Sequence, residues 1–362
     1  MKPKLKKVCL LLLIPLLIFS LTACKGSHNE EAVRAKIKDY LYKEYGEDFI
    51  VDRIGTRSDK GGEEYVARIY PKSIIGTNKE GDPYYYASAT VDKLTLGRLD
   101  EPGDSYSYVK MNLTAEEYLM PRAREIFGDR VVLKVDSEIE IWGREEIIVR
   151  EFKKKNKQSD GLDEFIGYKE ADFINAKDRA IENPENNRLF LELYIYIFDR
   201  IDSEREKEER RKQIFDYVQY LKEEGLFKYL ELGVIFIDER VLAPSYWEYA
   251  REIYPANLVE EEVEGETVYL PPRDLRKEMS EVLQREINEM SEEELLARMG
   301  KIRKSELSYD GIREYNGQYN CWIYSIGMLE LYYYITEEDR ERDYTTLRDI
   351  QYTKYKKYIF IN

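Results

Sequence analysis

Asp136, Glu138 and Glu140 occupy alternate positions in the segment Arg130 to Trp142, RVVLKVDSEIEIW. On an extended strand, alternate residues share a face and lie about 7 Å apart, which overlaps the spacing of the carboxylate pairs that cleave glycosidic bonds. Such chemistry needs one carboxyl held protonated by burial or by its neighbours while the other stays ionised. The same spacing also arises on any solvated strand face in a chain holding 72 Asp and Glu residues. That solvated face is the reading expected here, with acid/base attack on a glycan as the alternative. The acidic run Glu260, Glu261, Glu262 and Glu264 lacks the alternating Asp/Asn ligands and turn glycine of a calcium loop, so no metal site is expected.

Other chemistries are limited by what the chain lacks. His28 is the single histidine and stands near the start, which leaves no Ser-His-Asp or Cys-His pair for the body of the protein. The chain holds three cysteines, Cys9, Cys24 and Cys321. No cofactor motif is present, and no cofactor is expected. Tyrosine is abundant instead, with 32 Tyr against 12 Phe and 3 Trp. A phenol combines a stacking face with a hydrogen-bonding rim, which suits binding surfaces. Two candidate surfaces follow from this: Tyr84, Tyr85 and Tyr86, and Tyr246, Trp247 and Tyr249, extending to Tyr254. Their plainer role is to fill strand positions with one wet edge.

The elements that would position these residues follow from periodicity. Val33, Ile37, Tyr40 and Leu41 recur at helical spacing, and Gly46 is placed to end that helix. Strand-like runs follow at 49–54, 64–70 and 84–91, separated by turn sequences such as SDKGG and TNKEGDP. Thr114 to Glu117 has the form of a capping box, Gly128 is a helix end, and Pro121 must kink the helix or begin another. Val131 to Ile141 then alternates as a half-buried strand. The charged stretch EFKKKNKQSDG, 151–161, reads as a boundary.

Beyond it, Arg188 to Phe198 is a strand with both faces partly covered, Ser203 to Glu224 a charged helix, and Tyr229 to Ile237 a returning strand. The strand, helix, strand order on both sides of the boundary suggests a duplication. Leu258 to Leu270 reads as a hairpin around Glu264-Gly265, Pro271-Pro272 introduces a long helix, and Ser291 to Glu294 caps a second one. Whether 321–335 is strand or helix is not settled by its periodicity. The expected fold class is α+β: two helix-plus-antiparallel-sheet modules at 32–150 and 162–255, then a helical, aromatic-rich region at 256–362.

The first residues concern location. MKPKLKK is basic, Val8 to Leu21 (VCLLLLIPLLIFSL) is apolar, and Leu21-Thr22-Ala23-Cys24 follows. As a helix the apolar run would rise roughly 21 Å, short of a hydrocarbon core of about 30 Å, and it contains Pro15. This order of charge, apolar core and Leu-x-Ala-Cys resembles the signal peptide and lipobox of bacterial lipoproteins. The resemblance implies that residues 1–23 are removed, that Cys24 is lipidated, and that 24–31 form a tether at the extracytoplasmic face of the cell membrane. Two or more acyl chains anchor a protein stably where one does not.

Cleavage would also remove Lys2, Lys4, Lys6 and Lys7 from a chain already at −15. So acidic a body disfavours nucleic acid as a partner. The expected function is therefore a membrane-anchored, non-enzymatic module binding a protein or cell-wall polymer. The alternatives are a carboxylate-based wall glycan hydrolase and a solute-binding lipoprotein, although the paired β/α lobes of the latter are not legible.

Overall fold

The structure, a computed structural model, describes residues 29–59, 62–94, 98–141, 171–201, 203–253, 259–263, 266–270, 272–307, 317–325, 327–328 and 358–360. The fold is α+β, and the chain divides into two compact units on either side of the Val109–Lys110 bond. This differs from the boundary expected at 151–161, which lies outside the described residues.

In the first unit, helix α1 (Glu30–Tyr45) opens on Asn29, whose side chain accepts from the Glu31 N–H, and closes on Gly46 at φ 69°. Its buried stripe is Val33, Ile37 and Leu41, as the spacing predicts. The stripe covers one face of an antiparallel sheet ordered β1 (Phe49–Asp59), β2 (Gly62–Pro71), β3 (Ala87–Asp92) and β4 (Gly103–Asp104). Alternation places Val51, Tyr65, Ala67, Ile69, Ala89 and Val91 beneath the helix. Burying each larger aliphatic side chain contributes about 1.5–3 kcal/mol. Asp104 gathers three donors here: the Tyr40 and Tyr45 hydroxyls at 2.9 and 2.8 Å and the Tyr106 N–H at 2.8 Å.

Helix α2 (Tyr106–Phe127) begins two turns earlier than its supposed cap at Thr114. Thr114 lies inside it, with its hydroxyl donating back to the Met111 carbonyl and accepting from the Phe173 N–H, so the Thr-Ala-Glu-Glu sequence is no helix start. The helix runs through Pro121 rather than restarting there. Gly128 ends it at φ 91°, a conformation that favours glycine.

The second unit is built on a mixed sheet in the order β11 (Tyr358–Phe360), β10 (Gly317–Tyr324), β7 (Leu230–Ile237), β6 (Asn187–Phe198), β5 (Val131–Ile141). One face is the main core. There α2, α3 (Phe173–Glu182) and α4 (Glu204–Glu223) pack Leu119, Phe173, Ile214, Tyr217 and Leu221 against Leu133, Leu191, Leu193, Leu232 and Ile323. A Ser203–Glu206 capping box starts α4, and Ser203→Ala should cost about 1 kcal/mol in a urea melt. Ser137 interrupts the apolar row of edge strand β5, and its N–H and hydroxyl both donate to Asn112 Oδ1 of α2, at 2.8 and 2.9 Å.

Three sequence expectations change here. Strand β5, expected to close the first module, pairs with β6 and belongs to the second unit. The segment after 256 is not a separate region. It supplies β10 to the main sheet, and α6 (Arg273–Glu289) and α7 (Glu292–Met299) to the core on its second face, beside α5 (Tyr246–Ile253). A duplication is not seen, because β6 and β7 are parallel neighbours joined by α4, whereas β3 and β5 lie in different sheets. The expected hairpin does form, as β8 (Val259–Val263) paired with β9 (Glu266–Leu270).

Candidate functional site

The second face of the five-stranded sheet is divided across its strands. At one end Tyr196, Phe198, Ile235 and Ile237 are covered by Val241, Leu242, Tyr246, Leu283, Ile287 and Leu295. At the other end the same alternation presents Asp136 and Glu138 from β5, Glu192 and Tyr194 from β6, Glu231 and Gly233 from β7, and Trp322 and Tyr324 from β10. Strand register aligns them: Asp136 is opposite Glu192, Glu192 opposite Glu231, and Glu231 opposite Tyr324. Side chains on adjacent strands in register start about 5 Å apart, so three carboxylates form a row across the sheet.

Tyrosines border this row. The Tyr194 hydroxyl reaches Glu192 Oε2 at 3.3 Å and Glu231 Oε1 at 3.5 Å, and Tyr324 donates to Glu231 Oε1 at 3.2 Å. Gly233 leaves room for the aromatic rings on either side. A Cβ there would stand 2.9 Å from Tyr194 Cδ1 and 3.1 Å from Trp322 Cζ3, and those rings meet edge to face with centroids 5.6 Å apart. Phe190, Trp322, Tyr324 and Met328 form a small buried cluster beside them.

Burial, then the charges of Glu231 and Asp136, raise the Glu192 carboxyl from its ordinary 4.5 to about 7. Glu138 is also raised, by burial and then by Glu140 and Asp136. The sign of the effect on stability follows. Between about pH 4.5 and 7 the folded chain keeps a proton on Glu192 that the unfolded chain releases, so stability from this group falls as pH rises through that window. Glu192→Gln is expected to flatten this slope and to stabilise the protein above pH 7. Urea midpoints for wild type and variant at pH 5.5 and pH 8 check it, and equal slopes would refute the assignment.

The structure thus keeps Asp136 and Glu138 in one acidic face and adds Glu192 and Glu231, which sequence reading did not single out. Glu140 lies further along β5, opposite Arg188. The signal for Glu192 and Glu231 was a Glu breaking each of two apolar strand runs; pairing them needed the register. The tyrosine candidates fare differently. Tyr85 and Tyr246 are buried and are not surface residues, each 5% exposed. Tyr84 and Tyr85 lie in a 3₁₀ turn ahead of β3, and Tyr86 packs on Tyr70 under the Arg68 guanidinium. Trp247 remains 39% exposed on α5, with Tyr249 partly buried against the core. Tyr254 and Cys24 lie outside the described residues.

Cys321 sits in the main core, where burial pushes its thiol up to about 12, so it is no nucleophile. Among the described residues no group of three His, Cys, Asp or Glu is placed to hold a metal ion. No described helix is long and apolar enough to cross a membrane.

The class defined by this geometry is an α+β protein of two units whose second sheet carries an acidic, tyrosine-bordered face. No protein-family model matches the chain, and no curated protein does. Among solved structures it is similar to a DUF5037 family protein from Ruminococcus gnavus, at 15% identity and a TM-score of 0.30 over 70% of this chain and 87% of that one. A likeness of that size carries no argument about fold or function.

Proposed function

We propose that the chain is a lipid-anchored extracytoplasmic protein that acts by binding, and that the acidic face of the second sheet reads a cationic group of its ligand. The lipobox-like sequence ending at Cys24 supports the location. The observation that carries the binding role is the row Asp136, Glu192, Glu231, in which the charged groups that shift Glu192 are all negative. A cation seated there relieves that repulsion, returns Glu192 to the ionised state and releases its proton. At the membrane surface the nearest polymer of suitable chemistry is a cell wall bearing free amines.

Co-sedimentation tests this reading. The full chain in mild detergent is expected to sediment with purified wall sacculi, more strongly at pH 8 than at pH 6, and to be released when the sacculus amines are acetylated. Binding that ignores both acetylation and Glu192→Gln, or no binding, would reject the assigned face.

One observation favours a second reading. A carboxyl with a pKa of about 7, opposite Asp136 on the next strand, has the pairing of a retaining glycosidase, whose carboxyl groups stand about 5 Å apart. Glu192 would then be the general acid, in place of Glu138 or Glu140. Release of soluble fragments from the same sacculi, abolished by Glu192→Gln, would select this reading; sedimentation without release selects the first.

A further inference from the structure

Among the described residues, one cavity draws three arginines together. About 520 Å³ in volume, it is lined by Arg200, Arg240 and Arg285 together with Ser280, Gln284 and Asn288, and by two carboxylates, Glu281 and Glu289. Its place in the fold is informative. Strands β6 and β7 are adjacent and parallel, ending at Phe198 and Ile237, and Arg200 and Arg240 follow those ends by two and three residues. The loops that leave these two strand ends bring both arginines to one place. Here α6 closes the third side and contributes Arg285 and the polar side chains.

The lining is held in place by its own hydrogen bonds. The Arg240 N–H and Nε both donate to Asp238 Oδ1 at 2.9 Å, its Nη2 pairs with Asp238 Oδ2 and its Nη1 donates to the Ser280 hydroxyl, so this guanidinium is held and its charge matched by Asp238. Arg200 donates to Gln284 Oε1, which orients the Gln284 amide to donate to Asn288 Oδ1 at 3.0 Å. The Asn288 amide is left with its donor end for another acceptor. Arg285 forms no ion pair among the described residues and is exposed. Glu281 and Glu289 flank it one turn away on each side, also exposed, with Lys277 3.9 Å from Glu281.

We infer that this cavity is a binding site for a small solute bearing a phosphate or carboxylate group, held by the guanidinium groups of Arg200 and Arg285 beside the Arg240–Asp238 pair. Guanidinium forks match the paired oxygens of such anions, and the cavity volume suits a metabolite-sized molecule rather than a polymer. The site is separate from the acidic face and stands whether or not that face binds a wall polymer.

Thermal denaturation of the full chain in detergent tests it, with inorganic phosphate in one arm and succinate in the other, each compared with chloride at equal ionic strength. Wild type should be stabilised by at least one of them, and which one identifies the anion class. Arg200→Gln and the exposed Arg285→Ala should each weaken the apparent affinity roughly tenfold. Arg285→Ala keeps the test sound should Arg200→Gln fold poorly, since the Arg285 side chain is exposed. Stabilisation by neither anion, or stabilisation that Arg285→Ala leaves unchanged as a general salt effect would, overturns the inference.

Discussion

Lys304→Ala is expected to lower the stability of the second unit by about 3–5 kcal/mol, read as a shift of the urea midpoint at constant slope. Lys304 opens the 3₁₀ turn Lys304–Leu307 and pairs with Glu116 of α2; their side chains are only 13% and 10% exposed. Two charges brought this far from water are tolerable only together, because each alone carries its full desolvation cost. Removing the lysine leaves Glu116 buried without that partner, and the turn that brings Leu307 into the second core loses its tie to α2. The double change Glu116→Leu with Lys304→Met should recover most of the loss, since an apolar pair of similar volume has no charge to desolvate. A loss under about 1 kcal/mol for the single variant would mean that the pair behaves as a surface ion pair.

Gly233→Ala is the second large effect, expected to cost about 1–3 kcal/mol although it adds a single methyl group. The methyl would stand 2.9 Å from the Tyr194 ring and 3.1 Å from Trp322, so one of the two must move. The consequence reaches the acidic face. Tyr194 carries the hydroxyl bonded to Glu192, and a ring displaced from Gly233 takes that donor away. The Tyr194 hydrogen bond lowers the Glu192 pKa, so its loss should carry the titration further above 7. A carboxyl-resolved NMR titration of wild type and variant distinguishes this from plain destabilisation, which leaves the surviving folded population titrating as before.

How far the sequence foretold this can be read residue by residue. The local devices were legible because they depend on neighbours in the chain: the Val33, Ile37 and Leu41 stripe, the Gly46 terminus, the Ser291 cap, and the alternation of β5 and β6. The Thr114 cap failed because a threonine hydroxyl can serve a helix interior as well as its start. The unit boundary failed for a larger reason: β5 chooses its partner by register with β6, across a charged stretch that looked like a linker. The same non-local pairing hid the site. Asp136 and Glu138 were visible as an alternating pair, but Glu192 and Glu231 are distant in sequence and become their neighbours only when three strands align. Tyrosine abundance pointed to surfaces, whereas the structure uses many phenols to bury a ring and bond a carboxylate at its edge, as Tyr40 and Tyr45 do with Asp104 and Tyr118 does with Glu224.

The two proposed sites divide the labour along one sheet. The acidic face lies toward the start of β6 and β7, and the arginine-lined cavity lies beyond their ends. A wall polymer and a small anion would then engage the protein without competing for the same groups. The wall-binding role requires the body to be held outside the membrane, so Cys24 carries the central claim. The most direct measurement is metabolic labelling with an alkyne-bearing palmitate, followed by capture of the full chain. The expected result is label on wild type that partitions into detergent, and none on Cys24→Ala. Label that persists on Cys24→Ala, or a wild-type chain that takes up no label, would contradict the anchor and with it the placement beside the wall.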